Sequence, residues 1–211
     1  MKTIIATIGD VHGNFQKLEE NLKQIKADVI LQVGDFVGSR FIPKEEEVYK
    51  SPSKLIYFVP GNHEVWDNLE PLTPLSKTKV YDVVDNLKFI PLGHSFTFKG
   101  IKIVGFGGNY SKKRYVWKRN ELQHERRRHY TESDFERALS QESCDILLTH
   151  EPASPFPWRG SDAGSPIITS LVARLRPKYH FFGHMHVYRE QMIGDCKSYC
   201  IPIHEFRIFE V

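Results

Sequence analysis

The sequence is poor in the features that would place it in a membrane or hold it together covalently. Cysteine is scarce: Cys144, Cys196 and Cys200 are an odd number that cannot all pair, which excludes a disulfide framework. Cys196 and Cys200 lack a second cysteine pair, so they read as two thiols on a terminal hairpin rather than half of a thiolate metal site. No apolar run approaches the roughly 18 residues that cross a bilayer, and no membrane partner is expected. The apolar stretch after Lys2 meets Gly9 and Asp10 almost at once, unlike a secretory leader, and with reduced thiols it points to the cytoplasm. Linkers rich in Gly, Ser or Pro are missing, as are internal repeats, so residues 1–211 are read as a single domain. Charge of one sign is missing too: 29 basic and 26 acidic residues leave +3, too little to demand a nucleic acid or an anionic surface. What remains is 40% hydrophobic and 26% charged, the composition of a chain that buries a sizeable core.

Apolar β-branched runs at Thr3–Ile8, Val29–Val33 and Leu55–Val59 each stop at a Gly-containing polar cluster, as buried strands do at a sheet edge. Between the first two, Phe15, Leu18, Leu22 and Ile25 carry helical spacing with Asn14 placed to cap them. Strand, helix, strand implies a right-handed crossover and a parallel pair. From Lys79 to Val104 the pattern becomes short and alternating, with a hairpin Ser95–Lys99/Ile101–Gly105 turning near Lys99-Gly100, and reads as the antiparallel part of the sheets. Thr131 to Asp134 spells a capping box for a helix through Phe135, Ala138 and Leu139, followed by a strand Asp145–Thr149 that ends at His150. Ser165-Pro166 opens a helix that Pro177 closes, and the strand Tyr179–Phe182 ends at Gly183-His184-Met185-His186. Segments Tyr188–Ile193 and Tyr199–Val211 complete the sheets.

Five strand ends therefore deliver Asp10-Val11-His12, Gly34-Asp35, Gly61-Asn62-His63-Glu64, His150 and His184-Met185-His186. Oxygen and imidazole donors together suit Mn²⁺, Fe or Zn²⁺, and the lack of thiolates argues against a structural zinc site. In an extended tail, Asp10-x-His12 and His184-x-His186 would each chelate, since strand side chains alternate with period two. Seven candidate ligands (Asp10, His12, Asp35, Asn62, His150, His184 and His186) leave groups idle around one cation but are all used by two that share a carboxylate. Glu64 and Glu151 are expected to orient neighbours or face solvent. His94, His124, His129, His180 and His204 have no such company and are read as structural.

These blocks, D-x-H, G-D, G-N-H-[DE], a lone H and G-H-x-H, occur in the order of the calcineurin-like metallophosphoesterases, which the chain resembles from residue 9 to 186. The resemblance implies an α/β (α+β) fold, a four-layer αββα sandwich of two mixed sheets flanked by helices. It implies two divalent cations, manganese foremost, with Fe²⁺, Zn²⁺, Ni²⁺ or Co²⁺ as alternatives. Asp10, His12, Asp35 and His186 would hold one, and Asp35, Asn62, His150 and His184 the other. Asp35 would bridge, and His63 would act on the leaving group as catalytic acid or cation. The implied reaction is hydrolysis of a phosphomonoester or phosphodiester by metal-hydroxide attack, on a small phosphoester or nucleotide. One departure stands out: where many relatives continue the second block with an acid or amide that orients the catalytic histidine, this chain has Gly38. Arg40 nearby reads equally as a phosphate contact or a solvated loop residue.

The segment at about 110–130 reads as a basic insertion: eight Lys and Arg between Lys112 and Arg128 stand against Glu121 and Glu125, with Tyr115, Trp117 and Tyr130 interleaved. That composition serves single-stranded nucleic acid or a solvated basic face. Its setting, between Gly105-Phe106-Gly107-Gly108-Asn109-Tyr110 and Asp145–Glu151, is similar in layout to RNA lariat debranching enzymes, although those typically carry Cys at the place of Asp10. A debranching-like nuclease is thus one alternative function, and a non-catalytic metal-binding scaffold another.

Overall fold

The computed structural model describes residues 2–38, 48–72 and 80–211; Arg40 and Lys79 lie outside them. Two six-stranded mixed sheets dominate. In the first, β1 (Ile4–Ile8), β2 (Val29–Gln32), β3 (Ile56–Phe58) and β5 (Leu87–Phe89) run parallel in that order, with β14 (Phe206–Glu210) and β4 (Tyr81–Val84) antiparallel at the edges. In the second, β7 (Ile101–Phe106), β8 (Ile146–Thr149), β11 (Tyr179–Phe182) and β13 (Cys196–Cys200) run parallel, between antiparallel β6 (His94–Phe98) and β12 (Arg189–Ile193). A two-stranded ribbon, β9 (Pro157–Trp158) and β10 (Ser161–Asp162), stands apart.

The period of two explains the layers. Ile5, Leu31 and Val59 of the first sheet meet Ile103, Ile146, Leu148 and Phe181 of the second in one buried cluster. Their neighbours Ala6, Ile8, Ile30 and Phe58 turn the other way, onto Leu18, Leu22 and Ile25 at the helix Phe15–Gln24. On the far side, Val104, Phe106 and Leu147 pack on Ala138 of the helix Glu132–Leu139 and on Ile168, Leu171 and Leu175 of the helix Pro166–Leu175. Strands buried on both faces read as continuous apolar runs, and these do. The result is the expected helix, sheet, sheet, helix sandwich.

The helix ends follow their chemistry. The Asn14 side chain accepts from the Lys17 amide at 3.2 Å, and Asp134 accepts from the Thr131 amide and hydroxyl, each at 2.9 Å. Arg176 closes the Pro166–Leu175 helix with a φ of 49°.

Two readings need correction, and one element is not read from the sequence at all. The segment 79–104 is not uniformly antiparallel, since β5 pairs parallel with β3 while β6 and β7 belong to the other sheet. Tyr199–Val211 is not one segment: β13 ends at Cys200, and the chain crosses to the first sheet, where β14 lies beside β1. Alternation alone could not show this, because both halves have one wet and one dry side. The β9–β10 ribbon has no counterpart in the sequence pattern, because two-residue strands are too short to show a period.

Candidate metal centre

Asp10, Asp35, Asn62, His150 and His184 all follow the C-terminal ends of parallel strands, β1, β2, β3, β8 and β11. Because those strands run the same way in two facing sheets, their ends meet on one rim. Asp10, Asp35 and His150 are buried, His12, Asn62, His63 and His184 partly so, and His186 is exposed. The ligand atoms of Asp10, His12 and His186 lie within 4.8 Å of one another, as do those of Asp10, Asp35 and His150. Asn62 Oδ1 is 3.0 Å from His150 Nε2, and His184 Nδ1 is 3.1 Å from the same nitrogen. All seven sequence candidates thus converge.

The route to convergence differs from the expected one. Asp10 and His12 do not continue β1 in extended form: His12 has a φ of 48°, Asp35 53°, His184 65° and His186 58°. Left-handed turns, not strand alternation, aim these side chains inward. Non-glycine residues adopt such turns at a cost, and functional sites are where they collect. Close approach explains the glycines: a Cβ on Gly61 would overlap the Asp35 carboxylate, and one on Gly183 the Asp10 carboxylate.

Main-chain carbonyls set the tautomers. His12 Nδ1 donates to the Gly38 carbonyl at 2.7 Å and His150 Nδ1 to the Val33 carbonyl at 2.9 Å. Each bond leaves Nε2 as the lone pair facing the cluster, the usual second partner of a metal-binding imidazole. Gly38, read as the lack of an orienting acid, therefore has a role of its own. A Cβ there would overlap the His63 carbonyl, so only glycine lets this loop pass. The His63 amide donates to Asp35 Oδ1 at 2.7 Å and its ring lies 5.7 Å from that of His12. Glu64, buried, accepts from the Phe36 amide at 2.8 Å and the Tyr49 hydroxyl at 2.9 Å, tying the β2 and β3 loops together. Burial and the Asp35 charge raise its carboxyl to about 7. Glu151 accepts from the Tyr110 amide and the Tyr130 hydroxyl. Both glutamates orient neighbours, and neither is exposed.

Two buried carboxylates, with no lysine or arginine beside them among the described residues, are the electrostatic core of the site. Among the described residues, Asp10 and Asp35 meet only histidines: His186 at 3.0 Å, His150 at 3.4 Å, and His12 at 3.8–3.9 Å. Burial opposes the charge on Asp35, yet the His150 ring beside it holds its carboxyl well below the usual carboxylate range. The same pairing raises His150 despite burial. Buried anions need compensating positive charge, and this donor set fits divalent transition cations. His184, buried beside His150, is pushed down to about 4 and keeps its lone pair. Among the described residues, no helix is long and apolar enough to cross a membrane.

Comparison with known proteins agrees with this geometry. A model of the calcineurin-like phosphoesterase family matches residues 4–188. The UPF0046 protein K07C11.7 of Caenorhabditis elegans is 24% identical over 200 residues, covering 86% of this chain, which spans only 63% of that relative's length. The crystal structure of TT1561 of Thermus thermophilus superposes with a TM-score of 0.62 at 14% identity, over 99% of each chain. Phosphopantetheinyl hydrolase of Mycobacterium tuberculosis does so with a TM-score of 0.53 at 14% identity, over 96% of this chain and 90% of that one. At these identities the structures share the fold.

Proposed function

The chain belongs to the calcineurin-like phosphoesterase family, and on that premise we propose that it is a dinuclear metal-dependent hydrolase of phosphomonoesters or phosphodiesters, working as one domain with an insertion at about 110–130. The observation that carries this reading is the pair of buried carboxylates, Asp10 and Asp35, compensated only by imidazoles among the described residues. Asp10, His12, Asp35 and His186 would hold one cation, and Asp35, Asn62, His150 and His184 the other. Asp10 is common to both close groups of ligand atoms. We assign the bridge to Asp35 because its Oδ2 faces His12 on one side and His150 on the other.

Two cations would neutralise phosphoryl charge and activate water near neutral pH. The protein's own part is orientation. The carbonyls of Gly38 and Val33 keep His12 and His150 as lone-pair donors, and the His63 amide pins one oxygen of Asp35. The His63 side chain, whose ring lies beside that of His12, would meet the leaving oxygen as acid or cation. Manganese is our first choice of metal. Purified protein reconstituted separately with Mn²⁺, Fe²⁺, Co²⁺, Ni²⁺ and Zn²⁺ should hydrolyse p-nitrophenyl phosphate or its bis(p-nitrophenyl) diester with at least one of them. Failure on both substrates with two metals demonstrably bound would leave the scaffold reading instead.

A further inference from the structure

Of the eight basic side chains between Lys112 and Arg128, two serve as internal struts. Arg119 donates to both carboxylate oxygens of Glu70, at 3.0 and 2.6 Å, and to the His129 carbonyl at 2.9 Å. It also lies over the Trp66 ring at 5.2 Å. Arg127 donates to Asp67 at 2.5 Å. Four more, Lys112, Lys113, Lys118 and Arg126, are exposed. Arg114 and Arg128 fit neither group.

Both are half-buried, and neither meets a carboxylate among the described residues. Arg114 spends Nη1 on His129 Nε2 at 3.0 Å, while its Nε is closed off from solvent without an acceptor. The Arg128 Nε is in the same condition. His129, next to Arg128 in the chain, is 5% exposed, and its ring meets the Asn109 backbone as well as Arg114. Burial and the charges of Arg114, Arg128 and Arg119 push His129 down to about 4, so it stays neutral beside two guanidinium groups that meet no carboxylate among the described residues. Guanidinium forks match phosphate oxygens bidentately, and desolvated ones gain most from an anion.

The cluster is wired to the metal rim from two sides. The Asn109 amide donates to the Arg128 carbonyl, and the next amide, Tyr110, donates to Glu151, the neighbour of His150. Trp66, under Arg119, donates to the carbonyl of Gly61, next to Asn62.

We propose that Arg114 and Arg128, held around His129, form a second phosphate subsite, which holds a phosphate of the substrate other than the one cleaved. This rests on the phosphoesterase reading and narrows the substrate class to esters carrying two phosphates, such as 3′-phosphorylated nucleotide 5′-esters and oligonucleotides. The binding test uses inorganic phosphate and the arginine Nε–H resonances of the full chain, assigned with Arg114→Lys and Arg128→Lys. The resonances of Arg114 and Arg128 should shift saturably while those of Arg119 and Arg127 stay still, and the response should survive Asp35→Asn. No shift, or equal shifts at all four, overturns the site. The kinetic test compares thymidine 5′-(p-nitrophenyl phosphate) with its 3′-phosphorylated counterpart, following p-nitrophenol release. The extra phosphate should lower KM about tenfold, and Arg128→Met should bring the two KM values together. A wild-type KM ratio near one means the cluster binds free anions only, which overturns the substrate assignment. If metal-loaded protein cleaves neither ester, the phosphoesterase reading fails, and the resonance shifts alone decide the site.

Discussion

His150, just past the end of β8, and His180, on the adjacent strand β11, are both fully buried, yet their surroundings drive them in opposite directions. At the rim, His150 lies 3.4 Å from the Asp35 carboxylate and is raised. In the sheet interior, His180 bridges the Thr149 and Ser198 hydroxyls at 2.8 Å each, and burial pushes it down to about 3. A neutral imidazole, one donor and one acceptor, is satisfied by two hydroxyls. Burial alone therefore does not separate the rim histidine from the interior one; a neighbouring buried carboxylate, with no lysine or arginine beside it among the described residues, does.

The contrast breaks most severely at Asp35. Asp35→Asn removes the charge that unites the rim histidines, and turnover should fall on the order of 10³-fold or more, about 4 kcal/mol of barrier, measured as metal-reconstituted kcat on a phosphodiester. Stripping the metals should leave the two carboxylates compensated, among the described residues, by histidines. At metal concentrations about a thousand times Kd the holo form would be about 4 kcal/mol more stable, so a chelator should lower the melting temperature markedly in wild type and little in Asp35→Asn. Gly38→Ala pushes the loop off the His63 carbonyl and disturbs the bond to His12, so metal affinity should drop roughly 10- to 100-fold by competition titration.

The interior histidine gives a smaller effect with its own pH signature. Between about 3 and 6.5 the unfolded chain binds a proton at His180 that the folded chain refuses, so stability falls as pH drops below about 6.5. Denaturant melts at pH 7 and pH 5 should show about 1–2 kcal/mol less of this loss in His180→Gln. Smallest is His94, buried with neither ring nitrogen partnered among the described residues. His94→Leu should be neutral or stabilise by up to about 1 kcal/mol, read from the same melts at pH 7.

The convergence of Asp, His and Asn on one rim was legible because these residues rarely follow five apolar runs by chance. The strand-helix alternation was legible because doubly buried strands leave apolar runs between helical periods, whereas the two-sheet sandwich was implied by the family resemblance and not by periodicity. The orienting carbonyls of Gly38 and Val33 were not, because every residue has a carbonyl and none advertises its partner. The left-handed turns at His12 and His184 were hidden for the same reason: conformation there is imposed by the surrounding loops, not by side-chain propensity. In the basic segment, composition treated eight cations alike, whereas packing commits Arg119 and Arg127 to carboxylates and leaves Arg114 and Arg128 without one among the described residues.

Metal stoichiometry bears most directly on the rim. Elemental analysis of reconstituted protein should find two divalent ions per wild-type chain and at most one in Asp35→Asn, with phosphodiester turnover lost alongside the second ion. Full turnover with a single ion, or two ions and full turnover in Asp35→Asn, would contradict a dinuclear centre joined at Asp35.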